Sequence, residues 1–341
     1  MRLQILLIRL VVAAASGTLL FGAEPDSTAS AARAAKAAQT FLGTLDETAR
    51  SRAVFPFGDA AQRTNWSNLP TGIYQRAGIR FGALNDQQRT AALATLKAAL
   101  SPQGYDKVLE IMTADQVLTD TSGSPKGLIF GTNEFYISFV GTPSPTQPWL
   151  LQFGGHHLAL NLTLAGTNAV LTPSLTATQP ASYTRGGKTY RPLGMENDLA
   201  FRFINSLDPS QKAVAILGER FHDLVLGPGR DGIKLAPEGI PASRLNAAQR
   251  ALLLDLASQW IRIGPEPQAT AKLAEVSRHF DETYFVWSGP TAPGSAAYFR
   301  IQGPTLVIEY APQNLGGSAV NHIHTIYRDP TNEYGKQFAT P

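Results

Sequence analysis

The 341-residue chain contains no cysteine. That absence excludes disulfides, a lipid-modified cysteine, thiolate metal sites and a thiol nucleophile. Charge is sparse as well, at 16% of residues, and nearly balanced, with 29 Lys and Arg against 26 Asp and Glu. No run of basic residues of the kind that grips phosphates occurs, so nucleic acid is not expected as a partner. Zinc-peptidase His-Glu-x-x-His, the Gly-x-Ser-x-Gly nucleophile elbow, the P-loop and the dinucleotide fingerprint are all missing. Histidine is scarce, with six in the chain. Four of them fall in two short segments, Gly154-Gly155-His156-His157 and Asn321-His322-Ile323-His324.

The first 23 residues read as an export signal. Arg2 supplies the positive start, Ile5 to Phe21 is mostly apolar, and Gly22-Ala23 offers a cleavage point, although Arg9 interrupts the apolar run. Cleavage implies a periplasmic or extracellular protein with no stable membrane anchor. An uncleaved anchor is the alternative, because the apolar run is barely long enough to span a bilayer.

Hydropathy then alternates between helical and strand-like blocks. Ala35, Ala38, Phe41, Leu42 and Leu45 mark a helix over 27–51, with 24–39 as a helical lead-in. Asn85 and Gln88 form a capping-box pair before a Leu93, Leu96, Leu100 stripe, and 105–118 completes a helical hairpin. From Gly127 onward, 128–130, 135–140, 149–153, 158–164 and 169–172 read as strands. The stretch 180–192 reads as an exposed loop. Helices return at 196–207, after Asp208-Pro209, after Asn246 and over 267–280, and strands at 283–287, 297–302, 305–310 and 321–327. No fixed repeat is visible. The expected class is α+β, a mostly antiparallel sheet with packed helical blocks, which brings the two histidine pairs together.

His322 and His324 are two apart on a strand and share a face with Arg328, while Ile323, Thr325 and Tyr327 take the other. Two imidazoles on one face suit a first-row metal ion. His156 and His157 are adjacent, so an ordinary strand sends them to opposite faces unless Gly154-Gly155 forms a bulge. On this reading His157 is the better ligand and His156 an acid or base. Glu309, a solitary acid in the apolar strand Leu306-Val307-Ile308-Glu309-Tyr310, is the carboxylate to add to the metal set. Glu196 is a second candidate as a proton-transfer group, and Arg328 as an anchor for an anionic substrate. His222 and His279 lie near helix ends, where the dipole explains them without catalysis.

Gly155-His156-His157-Leu158, Phe285-x-Trp287-x-Gly289, Tyr298-Phe299-Arg300-Ile301, Ile308-Glu309-Tyr310 and the run from His322-Ile323-His324 to Arg328-Asp329-Pro330 together resemble the bacterial DUF3500 family. The resemblance covers nearly the whole mature chain and implies one domain over 40–338. It carries no catalytic role.

The residues therefore point first to an exported metal-dependent hydrolase. A divalent transition metal, zinc foremost, would be held by His157, Glu309, His322 and His324, with a small molecule or peptide as substrate. A copper or non-haem-iron oxidoreductase, with Tyr310, Tyr327 and Trp287 close to the centre, is the alternative. A non-catalytic binding protein stabilised by its metal is the third reading.

Overall fold

The structure, a computed structural model, describes residues 26–123 and 127–338. The expected export signal lies outside the described residues. Among those described, no helix is long and apolar enough to cross a membrane.

The first half of the chain runs α1 (Ser27–Gly43), α2 (Glu47–Ala53), β1 (Val54–Phe55), α3 (Ala60–Arg63), β2 (Ile79–Arg80), α4 (Asp86–Ala99) and α5 (Pro102–Ser122). Strands β3 (Tyr136–Val140), β4 (Trp149–Gly155), β5 (Leu158–Ala165) and β6 (Asn168–Thr178) follow. The expected loop at 180–192 instead holds a small ribbon, β7 (Tyr183–Arg185) and β8 (Lys188–Tyr190), closed by Gly186 and Gly187 at positive φ. The second half runs α6 (Gly194–Ser206), α7 (Pro209–Ala215), β9 (Ile240–Pro241), α8 (Ala247–Ile261) and α9 (Glu266–Arg278). It ends in β10 (Tyr284–Ser288), β11 (Tyr298–Gly303), β12 (Leu306–Pro312) and β13 (Ile323–Arg328).

The fold is α+β. One 11-stranded sheet has the order β1-β3-β4-β5-β6-β13-β12-β11-β10-β9, with β2 also on β3. Its pairings are antiparallel except β1 with β3. The helices cover one face. Phe41, Leu96 and Ile111 meet Phe139, Leu151 and Leu160 over the first half, and Phe203, Leu256 and Trp260 meet Phe299, Ile308 and Tyr327 over the second. The opposite face is covered by irregular chain: Trp66, Leu224 and Tyr334 pack on Ala159, Leu175 and Ile326.

The sheet order is a palindrome, and an internal repeat of unequal spacing underlies it. Phe41-Leu42-Gly43-Thr44-Leu45-Asp46 reappears as Phe203-Ile204-Asn205-Ser206-Leu207-Asp208, and each aspartate caps the helix after it. Gly78-Ile79 through Leu84-Asn85-x-x-Gln88-Arg89 reappears as Gly239-Ile240 through Leu245-Asn246-x-x-Gln249-Arg250. Both glycines have positive φ, both Asn/Gln pairs close capping boxes, and both arginines donate back to the turn before their helix, at Phe81 and Ala242. Val54 lies parallel to Phe139 as Ile216 lies parallel to Trp287. The halves meet where β6 and β13 pair antiparallel, so an approximate two-fold axis passes through the centre of the sheet. Unequal segments hide the repeat from any fixed-period scan: α5 has 21 residues and α9 has 13.

Candidate metal centre

The imidazoles meet at one end of the central strands. Pairing of Gly155 with Leu158 leaves His156 and His157 as the two-residue turn of the β4–β5 hairpin. Gly154-Gly155 forms no bulge, since the register there is unbroken and the irregularity lies between Leu160 and Leu162. The glycines serve close approach instead. A Cβ on Gly155 would sit 2.8 Å from the Phe135 ring, and one on Gly154 would sit 2.6 Å from the Leu158 carbonyl oxygen. His157 takes φ 65°, a conformation that costs a non-glycine residue on the order of 1–3 kcal/mol and so marks a position held by its surroundings. That turn, rather than strand parity, aims the His157 ring at the neighbouring strand.

His322 and His324 approach from β13, where Ala177 separates His324 from the hairpin: it pairs with His324 and donates to the His157 carbonyl at 2.8 Å. His157 Nε2 lies 2.9 Å from His322 Nε2, which lies 3.0 Å from His324 Nε2. The rings stand steeply to one another, at 68°, 81° and 56°, so their edges converge. All three are buried.

Their partners settle the protons. His322 Nδ1 faces the Leu315 carbonyl at 2.6 Å, and a carbonyl only accepts, so this nitrogen carries the hydrogen. His324 Nδ1 donates to Asp223 Oδ1 at 2.9 Å by the same reasoning. Both Nε2 atoms are then bare while the rings are neutral. Burial, followed by the neighbouring rings, holds His157 well below the usual imidazole range. Burial, followed by His324, pushes His322 down to about 4. With both rings neutral, two lone pairs face each other 3.0 Å apart, an arrangement that a cation relieves. Tetrahedral zinc with bonds of 2.0–2.1 Å spaces its nitrogens by about 3.3 Å, so binding would spread these rings by a few tenths of an ångström. The residues fit a metal ion.

A second group, Asp115, His156 and His157, also brings its ligand atoms within 4.8 Å of one another. Here the two rings are stacked, with centroids 3.6 Å apart and planes only 30° apart, so their lone pairs run side by side and do not meet. Asp115 Oδ1 takes the His156 Nδ1 hydrogen at 2.6 Å, while its Oδ2 accepts from the Gly131 amide. This is a carboxylate–imidazole dyad beside the metal group, closed on its outer side by the Phe130 ring.

The structure places the remaining expected site residues elsewhere. Glu309 shares the sheet face of His324, but its carboxylate accepts from the Val225 and Leu226 amides and the Tyr298 hydroxyl. In the repeat, the Arg300–Glu309 pair occupies the place of Gln152–Asn161. Arg328 donates to the Leu226 and Gly227 carbonyls, Asp231 and Glu333. These two residues fasten the irregular segment 217–239 across the sheet, and that segment delivers Asp223 to His324. Glu196 sits in the first turn of α6 and meets Lys107 of α5 at 2.5 Å, a buried ion pair between two helices. His222 and His279 are exposed, bonded to Asn314 and Glu282. Tyr310, Tyr327 and Trp287 belong to the helix-covered core on the opposite face, which corrects their expected closeness to the centre.

Sequence reasoning missed Asp223, Asp115 and Asn68. Asn68 accepts from the His157 amide with its carbonyl and lays its side-chain amide against the His324 ring. Arg76 holds this loop to the hairpin by donating to the Ser67, Leu69 and Gly155 carbonyls. Only Asp115 left a signal, as an acid on the stripe of Ile111, Met112 and Leu118 that α5 buries. Asp223 and Asn68 sit in irregular chain, where no periodicity points.

A two-layer α+β protein with a buried trihistidine group on the loop-covered face of its sheet is the class these observations define. The family Protein of unknown function (DUF3500) matches residues 27–336, and the chain belongs to it. No curated protein and no solved structure matches the chain.

Proposed function

We propose that this protein is an exported metal-dependent hydrolase in which His157, His322 and His324 hold one zinc ion. The observation that carries this reading is the meeting of three imidazole Nε2 atoms at 2.9 and 3.0 Å, those of His322 and His324 freed to face it by Nδ1 hydrogens tied to Leu315 and Asp223. Zinc in a three-nitrogen site would acidify a water in its fourth position and polarise a carbonyl. The chain's own residues supply the rest. Asp223 and the Leu315 carbonyl fix the tautomers and the ring orientations. His156, held by Asp115 against the His157 ring, would be the group to accept a proton from a bound water and return it to the leaving group. The oxidoreductase alternative loses the closeness of Tyr310, Tyr327 and Trp287, which pack on the other face.

The test is metal content and turnover together. Protein loaded to equilibrium from mixed metals should retain one equivalent of zinc and hydrolyse some member of an ester, lactone and amide panel. Retention of copper or iron with oxygen consumption would replace this reading with the oxidoreductase. A protein that keeps no metal would end it.

A further inference from the structure

Apart from segment 217–239, which delivers Asp223, the loops that carry the centre share a lack of charge. Three loops touch it through their backbone or side chains. Residues 68–75 do so through Asn68, residues 127–133 through Phe130 on His156 and the Gly131 amide on Asp115, and residues 311–321 through the Leu315 carbonyl on His322. None of the three contains a charged residue: they read Asn-Leu-Pro-Thr-Gly-Ile-Tyr-Gln, Gly-Leu-Ile-Phe-Gly-Thr-Asn and Ala-Pro-Gln-Asn-Leu-Gly-Gly-Ser-Ala-Val-Asn. Seven large apolar side chains are exposed among the described residues, and five belong to these loops: Leu69, Ile73, Ile129, Leu315 and Val320. Leu315 is the most exposed of all, at 75%. Val320 lines a separate cavity with Arg191, Tyr310 and Ile323. An exposed apolar side chain taken singly needs no explanation, but the other four, on the loops of one polar centre, do. The loops are also tied to one another. The Ile129 amide donates to the Thr71 carbonyl, which joins the first two into one wall.

Among the described residues, Arg76 and Arg328 do not face outward from this wall. Arg76 spends its donors on three backbone carbonyls and Arg328 is fastened beneath 217–239. Asp223, the acid at the rim, is engaged by His324. A charged substrate would lose hydration against the exposed apolar side chains of this rim, whereas an apolar one gains by covering them.

From this we infer that the centre acts on small uncharged substrates whose reactive carbonyl is flanked by an apolar group, seated on the collar of Leu69, Ile73, Ile129 and Leu315. The inference rests on the metal reading above and reverses the anionic substrate expected from Arg328.

Cobalt-loaded protein tests it without turnover. A series of straight-chain alkyl hydroxamic acids, uncharged at pH 7, would be titrated while the cobalt absorption bands are followed. Affinity should rise with each added methylene, up to about fourfold per group where burial is complete. Ending the same chains in a carboxylate should abolish that rise. Ile129→Ser and Ile73→Ser should flatten the series and leave cobalt affinity unchanged. A flat series in the wild type, or a preference for carboxylate-ended chains, overturns the inference while cobalt binding still stands. So does a rising series that both variants preserve, with the loss appearing instead in vesicle flotation or in self-association, because the collar would then serve a lipid surface or a second copy of this chain. Absence of cobalt bands would mark failure of the metal reading itself.

Discussion

His324 is held at three points, by His322, by Asp223 and by the face of Asn68, and each contact can be removed separately. His324→Ala deletes a metal bond and should weaken zinc binding by orders of magnitude, whereas exposed His279→Ala should leave it unchanged; isothermal titration giving equal losses would reject the assignment. Asp223→Ala removes the acceptor behind a ligand and should cost about 10- to 100-fold in zinc affinity. The proton balance has a defined sign. His322 in the folded protein has a pKa of about 4, below the unfolded value of about 6.5, so the folded state binds fewer protons between them. Metal-free protein should keep the full contribution above about pH 6.5 and lose on the order of 2–3 kcal/mol as the pH falls towards 4. Denaturant midpoints of wild type against His322→Asn across that range measure it, and parallel curves would contradict it. The His-x-His pair was legible because strand parity is a local rule. The His157 direction was not, since it follows from one positive-φ turn that sequence parity cannot register.

Segment 217–239 shows why legibility stops at regular elements. It has almost no strand or helix rhythm, yet it supplies Asp223 and covers half of one sheet face. Glu309 and Arg328 were visible as polar residues out of place in apolar strands, and the inference that each needed a partner was sound. Their partners are the amides and carbonyls of this segment and the acids Asp231 and Glu333 rather than an ion or a substrate. Glu309→Gln presents an amide to three donors and should cost about 2–3 kcal/mol, with faster proteolysis inside 217–239. Arg328→Lys keeps charge but loses the fork that reaches two carbonyls and two acids at once, so it should lower stability without changing selectivity for substrate charge. A large change in that selectivity at unchanged stability would return Arg328 to the substrate. The capped helices, by contrast, were readable almost to the residue: Asn85 with Gln88 and Asn246 with Gln249 both close the boxes that their spacing announces.

At the scale of the molecule, the two halves carry the same elements but not the same chemistry. The hairpin turn that holds His156 and His157 in the first half holds Pro304 and Thr305 in the second. The strand start that offers His322 and His324 in β13 offers Asn168 and Val170 in β6. One of two equivalent sheet ends has become a metal centre, and it draws on both halves, so neither half contains it alone. Because β6 and β13 pair at the middle of a continuous sheet, urea unfolding should be one transition by fluorescence and circular dichroism alike. Two separated transitions would mean that the halves are independent.

The central claim is a zinc ion bound by three imidazoles through Nε2, and X-ray absorption at the zinc edge of stoichiometrically loaded protein tests it most directly. The spectrum should show three imidazole nitrogens and one further light atom at about 2.0–2.1 Å. A shell with fewer than three imidazoles, or one dominated by carboxylate oxygen, would contradict the assignment of His157, His322 and His324.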